Sequence, residues 1–145
     1  MIKKEFLKHQ APFEYFHDLD EDFVYDEKYK AIVLYDGKWH NTKWFTNTIK
    51  ELKRVFGTKI TQAMFSIMES HKLLAPHKNE EKDTNLRYHI GIIVHPKENA
   101  YLQVERKKHV WKENEFFVFD TNKTHKACKY TNYKRVVLIV DYESK

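Results

Sequence analysis

Asn85-Leu86-Arg87-Tyr88-His89-Ile90-Gly91-Ile92-Ile93-Val94 is the stretch on which the reading of this chain turns. Its side chains alternate with a period of two. Arg87, His89 and Gly91 share one face, and Leu86, Tyr88 and Ile90 share the other. The spacing predicts a strand with a guanidinium and an imidazole on one face. Buried charge is costly unless it is paired, so these groups need partners. For Arg87 the partner is either an internal carboxylate, for instance Glu69 or Asp120, or an anionic ligand.

The pattern recurs near the C-terminus. In Lys134–Tyr142, Arg135 leads the apolar run Val136–Val140, and Arg135, Val137, Ile139 and Asp141 share a face. Further strands are expected over Ala31–Tyr35, Thr61–Glu69, Tyr101–Glu105 and Glu115–Asp120. One helix is expected, about Thr42 to Phe56. Phe45, Ile49, Leu52 and Phe56 repeat at helical spacing, Asn41 or Thr42 stands where a cap is needed, and Gly57 stands at the end. Ser70–Thr84 reads as a long charged loop holding two histidines. Short strands after a single helix predict a mainly β sandwich or barrel. Residues 1–145 read as a single domain, with a lead-in strand and supporting helix over 1–60 and the barrel core over 61–145.

Composition narrows the function classes. The chain has 145 residues, 41% of them hydrophobic and 15% aromatic, enough to bury a core. No apolar run approaches the roughly 18 residues that cross a bilayer, and no apolar segment follows the charges of the first nine residues, so neither a membrane span nor a signal peptide is expected. A single cysteine, Cys128, excludes a disulfide framework and a Cys-based zinc site and points to a reducing, cytoplasmic compartment. Residues 12–27 hold seven acids and no lysine or arginine, which reads as a solvated flank. The other residues carry a basic excess made almost wholly of lysine, since only four of the 26 basic residues are arginine. Those lysines are scattered rather than clustered, which argues for a solvated surface and against nucleic acid.

His77 follows Pro76, and His125 follows the strand that ends in Asp120. Both fall at strand ends, where a barrel would have its mouth. Two imidazoles there could hold a divalent metal, and with a carboxylate they would form a facial triad. From spacing alone, plain exposure at the surface is the simpler account.

Six blocks in order carry a family resemblance: Phe65-Ser66-Ile67-Met68, Ala75-Pro76-His77, Asn85–Ile92, Trp111-Lys112-Glu113-Asn114-Glu115, Phe117-Val118-Phe119-Asp120 with His125, and Arg135–Asp141. They resemble the signatures of the aspartyl/asparaginyl β-hydroxylase family. The resemblance implies a double-stranded β-helix (jelly-roll, cupin-like) barrel and an Fe(II)- and 2-oxoglutarate-dependent dioxygenase that uses O2 to hydroxylate an unactivated carbon. It makes His77 and His125 the iron ligands. It assigns Arg135 to the distal carboxylate of 2-oxoglutarate, and Arg87, His89 and Ser66 to further co-substrate contacts. Guanidinium suits that task because its planar fork grips a carboxylate bidentately.

Asn79 stands where most such oxygenases carry the carboxylate of the triad, so the third ligand is Asn79, a nearby loop acid (Glu80, Glu81 or Asp83) or water. The expected substrate is an Asp/Asn-type side chain, a free amino acid or another small metabolite, with no membrane involved. The alternative is a non-catalytic cupin-like binding module with a degenerate metal site. Asn79 favours that alternative, whereas Ser66, Arg87, His89 and Arg135 together favour the enzyme. Gly91 is expected to leave room for a ligand, and Asn114 to serve as a turn residue at positive φ.

Overall fold

The computed structural model describes residues 2–8, 14–15, 29–68, 72–77, 85–129, 131 and 133–143, with 14–15, 29–30, 72–77, 85 and 129 described by backbone alone. Helix α1 (Ile2–Lys8) and strands β1 (Glu14–Tyr15) and β2 (Tyr29–Tyr35) precede α2 (Thr46–Phe56). Eight strands follow: β3 (Ile60–Met68), β4 (Lys72–His77), β5 (Asn85–Ile93), β6 (Tyr101–Val104), β7 (Lys107–Val110), β8 (Phe116–Asp120), β9 (His125–Lys129) and β10 (Arg135–Glu143). They form a six-stranded sheet, β1-β2-β3-β10-β5-β8, and a four-stranded sheet, β4-β9-β6-β7. The described strand pairings are antiparallel. The result is mainly β, with two sheets facing each other as in a jelly roll.

Alternation along β10 decides the layers. Val136, Leu138 and Val140 join Phe65, Ile67, Ile32 and Leu34 in a core covered by Phe6 of α1 and by Ile49 and Leu52 of α2. Val137 and Ile139 point the other way, into a second core between the sheets with Met64, Val104, Trp111, Phe119 and Ala127. A one-residue slip of β10 would exchange the two faces, so burial on both sides fixes the register. The central pairs Val137↔Gly91, Ile139↔His89 and Asp141↔Arg87 carry that register into β5.

The helix begins later than its periodicity suggests. Residues 42–44 form a turn, and Asn41, at φ 58°, turns its amide to the Val33 carbonyl instead of capping the helix. The start of α2 is capped from outside. The N–H groups of Asn47 and Thr48 donate to the Glu5 carboxylate at 3.0 and 2.7 Å, a favourable place for negative charge. Gly57 ends the helix as expected, at φ 60° with its N–H donating to the Lys53 carbonyl.

Other expectations are corrected. The segment read as the loop Ser70–Thr84 contains β4, and the lead-in read as one strand also contains α1 and β1. Two further strands, β7 and β9, come from segments that had suggested none. Gly91 does not make room for a ligand. A Cβ there would stand 2.2 Å from the Lys112 carbonyl oxygen and 2.8 Å from its carbon. Residues 111–115 lie against Gly91, whose N–H donates to the Glu115 carbonyl at 3.1 Å and whose carbonyl accepts from Asn114 at 2.9 Å. Asn114 sits at φ 66°, as its position in the motif suggested.

Two substitutions test these supports by chemical denaturation. Glu5→Ala removes the external cap and should cost about 1 kcal/mol. Gly91→Ala forces backbone away from backbone and should cost about 2 kcal/mol or more.

Candidate functional site

The space between the sheets is not wholly apolar. Ser66 of β3, His89 of β5, His125 of β9, and Arg135 and Asp141 of β10 are all buried. Each lies on the face of its strand dictated by the alternation that sends Met64, Val137 and Ile139 inward. The fold thus brings Ser66, Arg87, His89, His125 and Arg135 to one interior.

Arg87 has an internal carboxylate. Its Nε and Nη2 donate to the two oxygens of Asp141 at 2.7 and 2.8 Å, a bidentate pair across β5 and β10. Of the two carboxylates the spacing suggested, Asp120 instead accepts from the Asn122 N–H at 2.8 Å, and Glu69 lies outside the described residues. Sequence pattern had placed Asp141 on the same face as Arg135 without pairing it.

Arg135, 2% exposed, donates from Nη2 to the Ser66 hydroxyl at 3.4 Å. Its guanidinium carbon lies 4.3 Å from the centre of the Trp111 ring, a cation–π contact in a site shielded from water. The Trp111 Nε1–H donates to His89 Nδ1 at 3.1 Å. Indole can only donate, so His89 Nδ1 must be the unprotonated nitrogen. The proton of the neutral ring therefore sits on Nε2, which is buried and has no hydrogen-bond partner among the described residues. Burial first, then the positive charge of Arg87 and Arg135, holds the His89 imidazole well below its usual pKa. The ring is neutral, packed beside Phe117 and Phe119 at centroid distances of 5.2 and 5.5 Å, and it presents an N–H inside the barrel.

His125 opens β9. Its Nδ1 donates to the Lys123 carbonyl at 2.8 Å. In the neutral ring that bond leaves the lone pair on Nε2, an orientation typical of metal-binding imidazoles. The ring packs on Phe119 at 5.1 Å. His77, the last residue of β4, is the register partner of His125 across the two strands, and the register shifts between Leu74 and His77. Pro76 falls in that shift on an edge strand, where a missing N–H is tolerated. Asn79, Glu80, Glu81, Asp83 and most of the acidic stretch 12–27 lie outside the described residues. Among the described residues no group of three His, Cys, Asp or Glu side chains is gathered to hold a metal, and no helix is long and apolar enough to cross a membrane.

The donor set fits a carboxylate co-substrate. It offers a guanidinium, a hydroxyl and an imidazole N–H with no partner among the described residues, all on buried residues between the sheets beside Phe117, Phe119 and Trp111. The buried Nε2–H carries most weight, because an orphaned donor of this kind costs about 1–3 kcal/mol unless something accepts from it. Backbone register places the two expected iron-ligand positions, His77 of β4 and His125 of β9, directly opposite each other on neighbouring strands.

Comparison with known proteins agrees with this architecture. The sequence model of the Aspartyl/Asparaginyl beta-hydroxylase family matches residues 1–145. The ornithine lipid ester-linked acyl 2-hydroxylase of Rhizobium tropici is 35% identical over 103 residues, which is 70% of this chain and 36% of that protein. The chain thus spans little more than a third of the length of that curated relative. In three dimensions it is similar to the Cupin_2 domain of an XRE-family transcriptional regulator from Enterobacter cloacae, with TM-score 0.55, 9% identity, and coverage of 82% of this chain and 100% of the other. A cupin-2 domain from Rhodospirillum rubrum gives TM-score 0.56 at 7% identity, over 92% of this chain and 70% of that one. These two share the jelly-roll fold. Because the family model spans the whole sequence, the chain belongs to the aspartyl/asparaginyl β-hydroxylase family.

Proposed function

We propose that the chain is an Fe(II)- and 2-oxoglutarate-dependent dioxygenase that hydroxylates an unactivated carbon. The observation that supports this most is the buried His89 Nε2–H, without a partner among the described residues, in a barrel that also holds Arg135 and Ser66. In this reading Arg135 and Ser66 bind the distal carboxylate of 2-oxoglutarate. The neutral His89 donates to the co-substrate without adding positive charge beside the metal. Arg87, its charge paired with Asp141, stands on the same strand face as His89 and supports the co-substrate wall. His77 and His125 hold the iron, and the Lys123 carbonyl keeps the His125 ring aimed. Asn79, a loop acid or water completes the protein's share of the metal shell. Phe117, Phe119 and Trp111 keep water from the pocket.

When bound, iron and 2-oxoglutarate supply the oxidation: O2 is consumed, the keto acid loses CO2 to become succinate, and a substrate C–H becomes C–OH. The family name and the relative's name share one chemical feature. The β-carbon of aspartate and the 2-carbon of an acyl ester both adjoin a carbonyl carbon. The proposed substrate class is therefore an sp3 carbon next to a carboxyl, amide or ester group, as in an Asp/Asn-type side chain, a free amino acid or a small metabolite. The Rhizobium relative favours an acyl lipid as a second reading.

Anaerobic titration of the full chain with Fe(II) and then 2-oxoglutarate should develop the weak visible charge-transfer band of a keto acid chelated to iron. No band at saturating metal would overturn the oxygenase reading in favour of a binding module. His125→Ala should abolish Fe(II) binding measured by the same titration. Arg135→Lys should weaken 2-oxoglutarate by about 10–100-fold, from the loss of a charge-assisted forked contact, while metal affinity stays within error. Unchanged co-substrate affinity in that variant would contradict the assignment of Arg135.

A further inference from the structure

Trp111 touches two polar groups of adjacent strands, His89 of β5 and Arg135 of β10, and the family resemblance gives it no role. We infer that Trp111 is a positioning residue, which fixes the tautomer of His89 and the plane of Arg135 at once so that both present donors to the same ligand. The inference rests on the co-substrate reading above for the identity of that ligand, but not for the geometry. The indole uses two different parts of itself. Its edge donates Nε1–H to His89 Nδ1 at 3.1 Å, and its face carries the Arg135 guanidinium at 4.3 Å. The His89 and Trp111 ring planes are inclined by 21°, with centroids 5.9 Å apart.

Tautomer choice decides what His89 can do. With Nδ1 as acceptor, Nε2 bears the proton and can donate to a carboxylate. In the other tautomer Nε2 would turn a lone pair towards that anion, and attraction would become repulsion. Nothing else among the described residues sets this choice, since no further hydrogen bond to the ring is present. Phe117 and Phe119 pack the ring from the sides and have no polar atom to offer.

Trp111 is itself held from behind. It is buried, and its backbone N–H donates to the Ala100 carbonyl at 3.4 Å. The next residues are clipped to Gly91 by two backbone hydrogen bonds and a close approach of Lys112 that only glycine permits. Glu113 accepts from the Val94 N–H at 3.4 Å and pairs with Lys3 of α1 at 2.9 Å, and the Lys3 contact holds its carboxyl below the usual pKa. The Trp111–Glu115 block thus works as a bracket: Gly91, Glu113 and Asn114 hold the backbone, and Trp111 reaches the pocket.

A core tryptophan that merely fills space would tolerate phenylalanine in this respect, because an aromatic ring would remain. Trp111→Phe keeps the ring but removes the N–H, so the tautomer of His89 separates the two roles. In the full chain with 15N-labelled histidine, long-range 15N–1H correlation spectra should show wild-type His89 wholly as the Nε2–H tautomer. Trp111→Phe should show both tautomers, with 2-oxoglutarate affinity in the presence of Mn(II) lowered about tenfold by calorimetry. A wild-type His89 in the Nδ1–H tautomer overturns the inference without any variant, and so does a Trp111→Phe protein whose His89 stays wholly Nε2–H. If the tautomer changes but wild-type protein binds no 2-oxoglutarate, the positioning role stands and the co-substrate reading falls.

Discussion

A polar group sealed inside a barrel must be matched, and His89 is matched at only one of its two nitrogens. The Trp111 indole satisfies Nδ1, while the buried Nε2–H has no partner among the described residues. Leaving such a donor unmet lowers stability, so a ligand that accepts from it would stabilise the fold as it binds. The Arg87–Asp141 pair shows the contrast. There the fold supplies its own bidentate carboxylate, and the charge of Arg87 is balanced within the chain. The two groups sit two residues apart on one face of β5, Arg87 answered by Asp141 and His89 Nε2 by none of the described residues.

The barrel can carry this polar interior because its outer core is separate. The helices cover one face of the six-stranded sheet through Phe6, Ile49 and Leu52, and β10 sends alternate residues to each side. A hydrophobic core thus lies on the far face as well as between the sheets, and the inner face can hold arginine, histidine and serine among aromatic side chains. Glu5 and Lys3, both on the short first helix, tie this outer layer to the start of α2 and to the bracket behind Trp111.

Strong alternation made much of this legible in the sequence. The two strands with a charged residue on an otherwise buried face, β5 and β10, lie side by side in the sheet, and the faces assigned to Arg87, His89, Arg135 and Asp141 are the faces observed. What escaped notice did so for physical reasons. Lys72-Leu73-Leu74-Ala75-Pro76-His77 contains a proline that argues against a central strand, yet β4 is an edge strand where proline is tolerated. Lys107-Lys108-His109-Val110 looks like a basic turn, but lysine on an edge strand is a common guard against pairing with other chains. His125-Lys126-Ala127-Cys128-Lys129 has no β-branched residue and forms a strand because β4 and β6 flank it. Trp111 was visible as part of a motif, but its two contacts depend on Gly91 bringing distant backbone together, and spacing along the chain carries no trace of that.

The most direct test of the central claim is a crystal structure of the full chain grown with Mn(II) and 2-oxoglutarate. The account predicts the metal between His77 and His125, the distal carboxylate on Arg135 and Ser66, and an oxygen of the co-substrate accepting from His89 Nε2. A dicarboxylate bound outside the barrel, or inside it with His89 Nε2 still unmatched, would contradict it.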